Sequence, residues 1–103
     1  MNRLNFPAIN SAARSALLPL LRRWLPDGHV ERLEYVARNP KRADRRPGSF
    51  RVHIGSGPKA GVWRDFAADV GGADPVSLCA YLHDLGQADA ARRLADMLGV
   101  GHE

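Results

Sequence analysis

The segment from Arg38 to Arg51 carries Arg38, Lys41, Arg42, Arg45, Arg46 and Arg51 against a single acid, Asp44. Like charges crowded into one loop repel unless a partner offsets them, and a phosphate chain has the fitting charge. Just beyond stand His53, Trp63 and Arg64. An unpaired strand is bound by neutralising its phosphates and stacking its bases on aromatic rings or guanidinium planes. Lys41, Arg42, Arg45, Arg46, Arg51, His53 and Arg64 can supply charge and hydrogen bonds. Trp63 can supply a stacking ring if it is exposed; the alternative, and the commoner fate of such a ring, is the core.

Other chemistries find no constellation. Asp65, Asp69 and Asp74 read as a strand polar residue, a turn residue and a helix cap rather than as working acids. Gly71-Gly72 lacks the lysine and hydroxyl of a phosphate-binding loop. Cys79 and His83 stand at helical spacing, one pair where structural zinc needs four ligands. A buried thiol beside a partly exposed histidine is the plainer reading. No serine, cysteine or histidine stands with a base for nucleophilic work. The chain is therefore expected to be no enzyme and to use no metal and no cofactor.

A chain of 103 residues makes one small domain with a modest core. Its hydrophobic share of 45% and charged share of 25% are those of an ordinary globular protein. The net charge of +4 favours polyanionic partners. No apolar run nears the roughly 20 residues that span a bilayer. The opening Met-Asn-Arg-Leu-Asn-Phe-Pro lacks the pattern of a secretion signal. A cytoplasmic location without membrane contact is expected, and the single Cys79 excludes a disulfide within the chain.

The elements that must position these residues follow from periodicity. Residues 1–9 carry no pattern and are expected as a loose arm. Asn10 or Ser11 can cap a helix over 10–25, with Ala13, Leu17, Leu20, Leu21 and Trp24 in one stripe and Pro19 kinking or splitting it. Val30 to Ala37 alternates as a strand, Asn39-Pro40 ends it, and the basic loop 38–48 follows. Ser49 to Ile54 is the cleanest strand: Phe50, Val52 and Ile54 face one way, Arg51 and His53 the other. The glycine-rich stretch from Gly55 to Gly61 leads to a returning strand over Val62 to Ala67, and Gly71-Gly72 reads as a sharp turn. Asp74-Pro75 starts a helix that Gly86 closes, and Ala88 to Leu98 forms a second, ended by Gly99. The expected architecture for 1–103 is one α+β domain: an N-terminal helix, a small three-stranded antiparallel sheet over 30–67, and a C-terminal helical pair over 74–98. The helices must cover one face of so small a sheet, leaving the other to a partner.

The order Pro47-x-Ser49-Phe50, strand, turn, Trp63-x-Asp65-Phe66, glycine pair and Asp74-Pro75-Val76-Ser77-Leu78 resembles the N-terminal zinc-ribbon module of bacterial-type DNA primases. It looks closest to the variant heading primase or primase-helicase proteins of phages, plasmids and integrated elements, and the likeness covers residues 30–98. The resemblance implies a nucleic-acid-binding module that engages single-stranded template, DNA or RNA, in replication of a mobile element, with the polymerising activity in a separate domain. The alternative is a protein-interaction domain that docks on a replication partner through its helical pair. The family's four zinc ligands fall near Asn39, Arg42, Asp65 and Ala68, none of them a thiolate or imidazole. The resemblance thus implies a zinc-ribbon-like but metal-free domain. Tyr35, Phe50, Trp63 and Phe66, packed beneath the helices, are the candidates expected to replace a good part of the metal site; each large apolar side chain buried is worth about 1.5–3 kcal/mol. A piece of a longer replication protein and a free-standing relative both fit this sequence.

Overall fold

Asn5, not Asn10, opens the first helix of the computed structural model, which describes residues 4–42 and 48–100. Its side-chain oxygen accepts the Ala8 amide at 3.1 Å, and Pro7 sits in the first turn, where its missing amide breaks no bond. Helix α1 (Phe6–Ser15) therefore begins inside the stretch expected as a loose arm. Ala16 interrupts the run and α2 (Leu17–Trp24) follows. Pro19 lies in the first turn of α2, again where no intrahelical donor is needed. The helix expected over 10–25 is two helices.

Asn10 is buried, and its side-chain oxygen accepts the Val76 amide at 3.0 Å. That amide belongs to the first turn of a helix contributed much later in the chain, Pro75–His83. Asp74 caps the same turn by accepting from the Ser77 amide at 2.8 Å, and Pro75 has no amide to satisfy. One long-range asparagine thus completes a cap that local sequence leaves unfinished.

One sheet of five strands runs in chain order as an antiparallel meander: β1 (His29–Glu31), β2 (Glu34–Ala37), β3 (Phe50–His53), β4 (Trp63–Asp65) and β5 (Val70–Gly72). Helices α3 (Pro75–His83) and α4 (Gln87–Leu98) complete the chain. The class is α+β as expected, but with five strands and four helices in place of three strands and three helices. Two local features account for the extra strands. The run read as one strand over 30–37 folds back at Arg32-Leu33, with Arg32 in the left-handed region at φ +56° although neither turn residue is glycine or asparagine. The Gly71-Gly72 pair, read as a turn, is an edge strand. A Cβ on Gly72 would stand 2.3 Å from Ser77 Oγ and 2.5 Å from Trp63 Nε1, so glycine serves close approach there, not bending.

Register sets Tyr35, Val52 and Trp63 side by side, and Ala37, Phe50 and Asp65 in the neighbouring row. Leu17, Leu21 and Leu78 cover this face from α2 and α3. A second core of Ile9, Ala13, Cys79, Ala91 and Leu94 joins α1, α3 and α4. Phe66 is not among the rings beneath the helices: it is 61% exposed. Tyr81 takes that place, 4.9 Å from Trp63 and 6.3 Å from Phe50 by ring centroids, while Phe50 and Trp63 stack at 5.8 Å.

Candidate nucleic-acid interface

Along β3 and β4 the second sheet face stays partly or fully exposed. Pleating alternates side chains, so the strands that bury Phe50, Val52 and Trp63 must turn Arg51, His53 and Arg64 outward. Register sets Arg51 directly beside Arg64, and His53 beside Glu34. Two like charges in that position repel, and nearby carboxylates answer them. Arg51 donates to Glu34 at 3.0 Å, lies 3.8 Å from Glu31, and donates through Nε to the Gly48 carbonyl at 2.9 Å. Arg64 donates to Asp69 at 2.6 Å. Its guanidinium carbon also lies 5.5 Å from the Phe66 ring centroid, a cation–π contact on the open surface. Lys59 lines the same shallow recess.

The expected binding residues do not all share this face. Arg51, His53 and Arg64 do. Lys41 turns towards α3, where its ammonium donates to the Tyr81 carbonyl at 2.9 Å, pairs with Asp84 and sits over the Tyr81 ring. Arg42 reaches Asp65, on the core side of the sheet, at 3.3 Å. Trp63 is 4% exposed and donates its indole N–H to Ser77 Oγ at 2.9 Å, so it is a core ring and offers no stacking surface. Arg45 and Arg46 lie outside the described residues.

Phe66 and Lys59 were not expected here. The signal for Phe66 is in the sequence: Trp63 and Phe66 stand three residues apart, so a strand that buries one presents the other on the opposite face.

Asp65 is the one charged side chain with no exposure in the buried set. Its Oδ2 accepts from Asn39 Nδ2 at 2.8 Å; its Oδ1 accepts the amides of Ala67 at 2.9 Å and Ala68 at 3.2 Å; Arg42 closes the ring of donors. Burial is the largest single influence on this group and pushes its pKa up. The bonds from Asn39, Ala68, Ala67 and Arg42 together outweigh it and hold the carboxyl below its usual range.

These residues do not fit a zinc ion. An amide, a guanidinium, one carboxylate and a methyl group supply no tetrahedral set of thiolates and imidazoles. Among the described residues, no group of three or more His, Cys, Asp and Glu side chains could hold a metal. Cys79 is fully buried with Sγ 3.6 Å from His83 Nδ1, and burial pushes its thiol pKa up, away from thiolate reactivity.

The arrangement defines a small α+β domain with one helix-covered sheet face and a second face that is charged and partly or fully exposed along β3 and β4. Comparison with protein-family models, with characterised proteins and with solved structures finds no match. No helix among the described residues is long and apolar enough to cross a membrane.

Proposed function

We propose that this chain is a non-catalytic nucleic-acid-binding module of the cytoplasm, whose open sheet face engages single-stranded template during replication of a mobile element. The observation that carries the reading is a single surface recess in which Arg51, His53, Lys59 and Arg64 stand with the ring of Phe66, one carboxylate, Glu34, among them. The exposed Arg64–Asp69 pair holds its partner weakly, so a phosphate can displace Asp69, and the part-buried Arg51–Glu34 pair can yield in the same way. Phe66, backed by the Arg64 guanidinium, offers a platform for an unpaired base. The net charge of +4 and the resemblance to the primase zinc-ribbon module support the same reading, and Arg45 and Arg46 belong to it by sequence. Docking of a replication partner on the helical pair has less support. Of the five large apolar side chains exposed among the described residues, only Met97 lies on α3 or α4.

The test is a titration of fluorescent single-stranded DNA across a salt series. Each phosphate contact contributes about 0.7 to the slope of log affinity against log salt, so two or three contacts give a slope of about −1.4 to −2.1. Binding that is absent at low salt, or indifferent to salt, overturns the proposal.

A further inference from the structure

Asn39 and Asp65 lie 26 residues apart on two separate turns that share one construction. In the first, Asn39 Oδ1 accepts the Lys41 amide at 2.9 Å, and the Arg42 amide bonds the Asn39 carbonyl at 3.1 Å. In the second, Asp65 Oδ1 accepts the amides of Ala67 and Ala68 at 2.9 and 3.2 Å. Each turn is closed on the side-chain oxygen of its first residue. The two meet through Asn39 Nδ2 and Asp65 Oδ2 at 2.8 Å, and through Arg42 Nη1 at 3.3 and 3.4 Å from the two carboxylate oxygens.

We infer that the Asp65 carboxylate joins these two turns as a metal ion would, so that the domain closes around a buried anion rather than a bound cation. Asn39 and Arg42 bound the first turn, and Asp65 and Ala68 the second; the primase resemblance sets its zinc ligands near these residues. A zinc centre surrounds a cation with lone-pair donors. Here the signs are reversed: N–H groups from both turns surround a carboxylate, and the guanidinium of Arg42 occupies ground from which a cation is repelled. Asn39 carries the junction further, donating from the same nitrogen to the Tyr81 hydroxyl at 2.8 Å and so tying it to α3. Aromatic packing was expected to replace a good part of the absent metal; the geometry adds a polar staple between the two turns. This inference goes beyond nucleic-acid binding and does not depend on it.

Thermal unfolding of the full chain, followed by circular dichroism, tests it. The wild-type midpoint should be the same with EDTA, with added zinc and with neither. Asp65→Asn keeps the shape but sets an amide donor against the donors of Asn39 and Arg42, and should lower the midpoint by about 10 °C or more. Asn39→Ala, a milder change that leaves the carboxylate in place, keeps the test readable if Asp65→Asn does not fold, and should lower the midpoint by about 5 °C. A wild-type midpoint that EDTA lowers, or unchanged midpoints in both variants, overturns the inference. A constructive test uses the chain carrying Asn39→Cys, Arg42→Cys, Asp65→Cys and Ala68→Cys. If the four positions bound one junction, it should take up one cobalt(II) ion with the visible bands of a tetrahedral thiolate site and become sensitive to EDTA. Absence of those bands overturns the equivalence of the two junctions.

Discussion

Arg64 and Asp65 are neighbours in sequence and stand on opposite faces of the same strand. The aspartate is sealed from water and ringed by donors from two turns. The arginine is half exposed, held by one exposed carboxylate and leaning on an exposed ring. A buried charge loses several bonds at once if it is disturbed, and no water replaces them. An exposed pair trades one partner for another at little cost. One step along a pleated strand therefore separates a charge committed to the fold from a charge available to a ligand.

The sharpest contrast is between the two aromatic residues of this segment. Trp63→Ala should destabilise the fold by about 3–5 kcal/mol in urea denaturation, because it empties the stack between Phe50 and Tyr81. Phe66→Ala should change stability by no more than about 0.5 kcal/mol. Comparable losses of stability would break the distinction between the faces.

Acid should act on the buried face. The Asp65 pKa is lowered on folding, so its contribution is present above the unfolded carboxylate pKa and is lost as pH falls through the folded value. Stability followed by urea denaturation should therefore fall as the pH drops below about 4, the unfolded carboxylate value. Asp65→Asn, already weakened at neutral pH, should lack that part of the drop. Identical pH profiles would remove Asp65 from the account.

On the open face the same Phe66→Ala variant should bind single-stranded DNA more weakly by about 1–3 kcal/mol, the usual value of one stacked base. Arg64→Ala should weaken binding less, and should flatten the salt slope by about 0.7 if it meets one phosphate. The smallest effect is the most specific in sign. Glu34 competes for Arg51, so Glu34→Gln should strengthen binding by a few tenths of a kcal/mol. Weaker binding in that variant would argue that Glu34 contacts the ligand itself.

Much of this division was open to reading from residue order. Phe50 and Val52 against Arg51 and His53 is plain period-two alternation, and β3 has the two faces it predicts. Asp74-Pro75 starts its helix as capping chemistry requires. The hidden features depend on contacts that local pattern does not encode. Arg32 turns a hairpin without a turn-type residue because β1 and β2 gain pairing on either side. Gly71-Gly72 looks like punctuation until the Trp63 ring is seen to need the space. The link from Asn39 to Asp65 spans 26 residues and joins two unremarkable polar side chains. The carboxylates that answer Arg51 and Arg64 depend on strand register and on the turn at Asp69, which charge counting cannot supply.

The most direct measurement is amide and side-chain NMR of the full chain during titration with a short single-stranded DNA. The account predicts shifts gathered on Arg51, His53, Lys59, Arg64 and Phe66, with Trp63 and the outer side of α4 unmoved. Shifts confined to α3 and α4, or none at concentrations where the fluorescent single-stranded DNA titration reports binding, would contradict it.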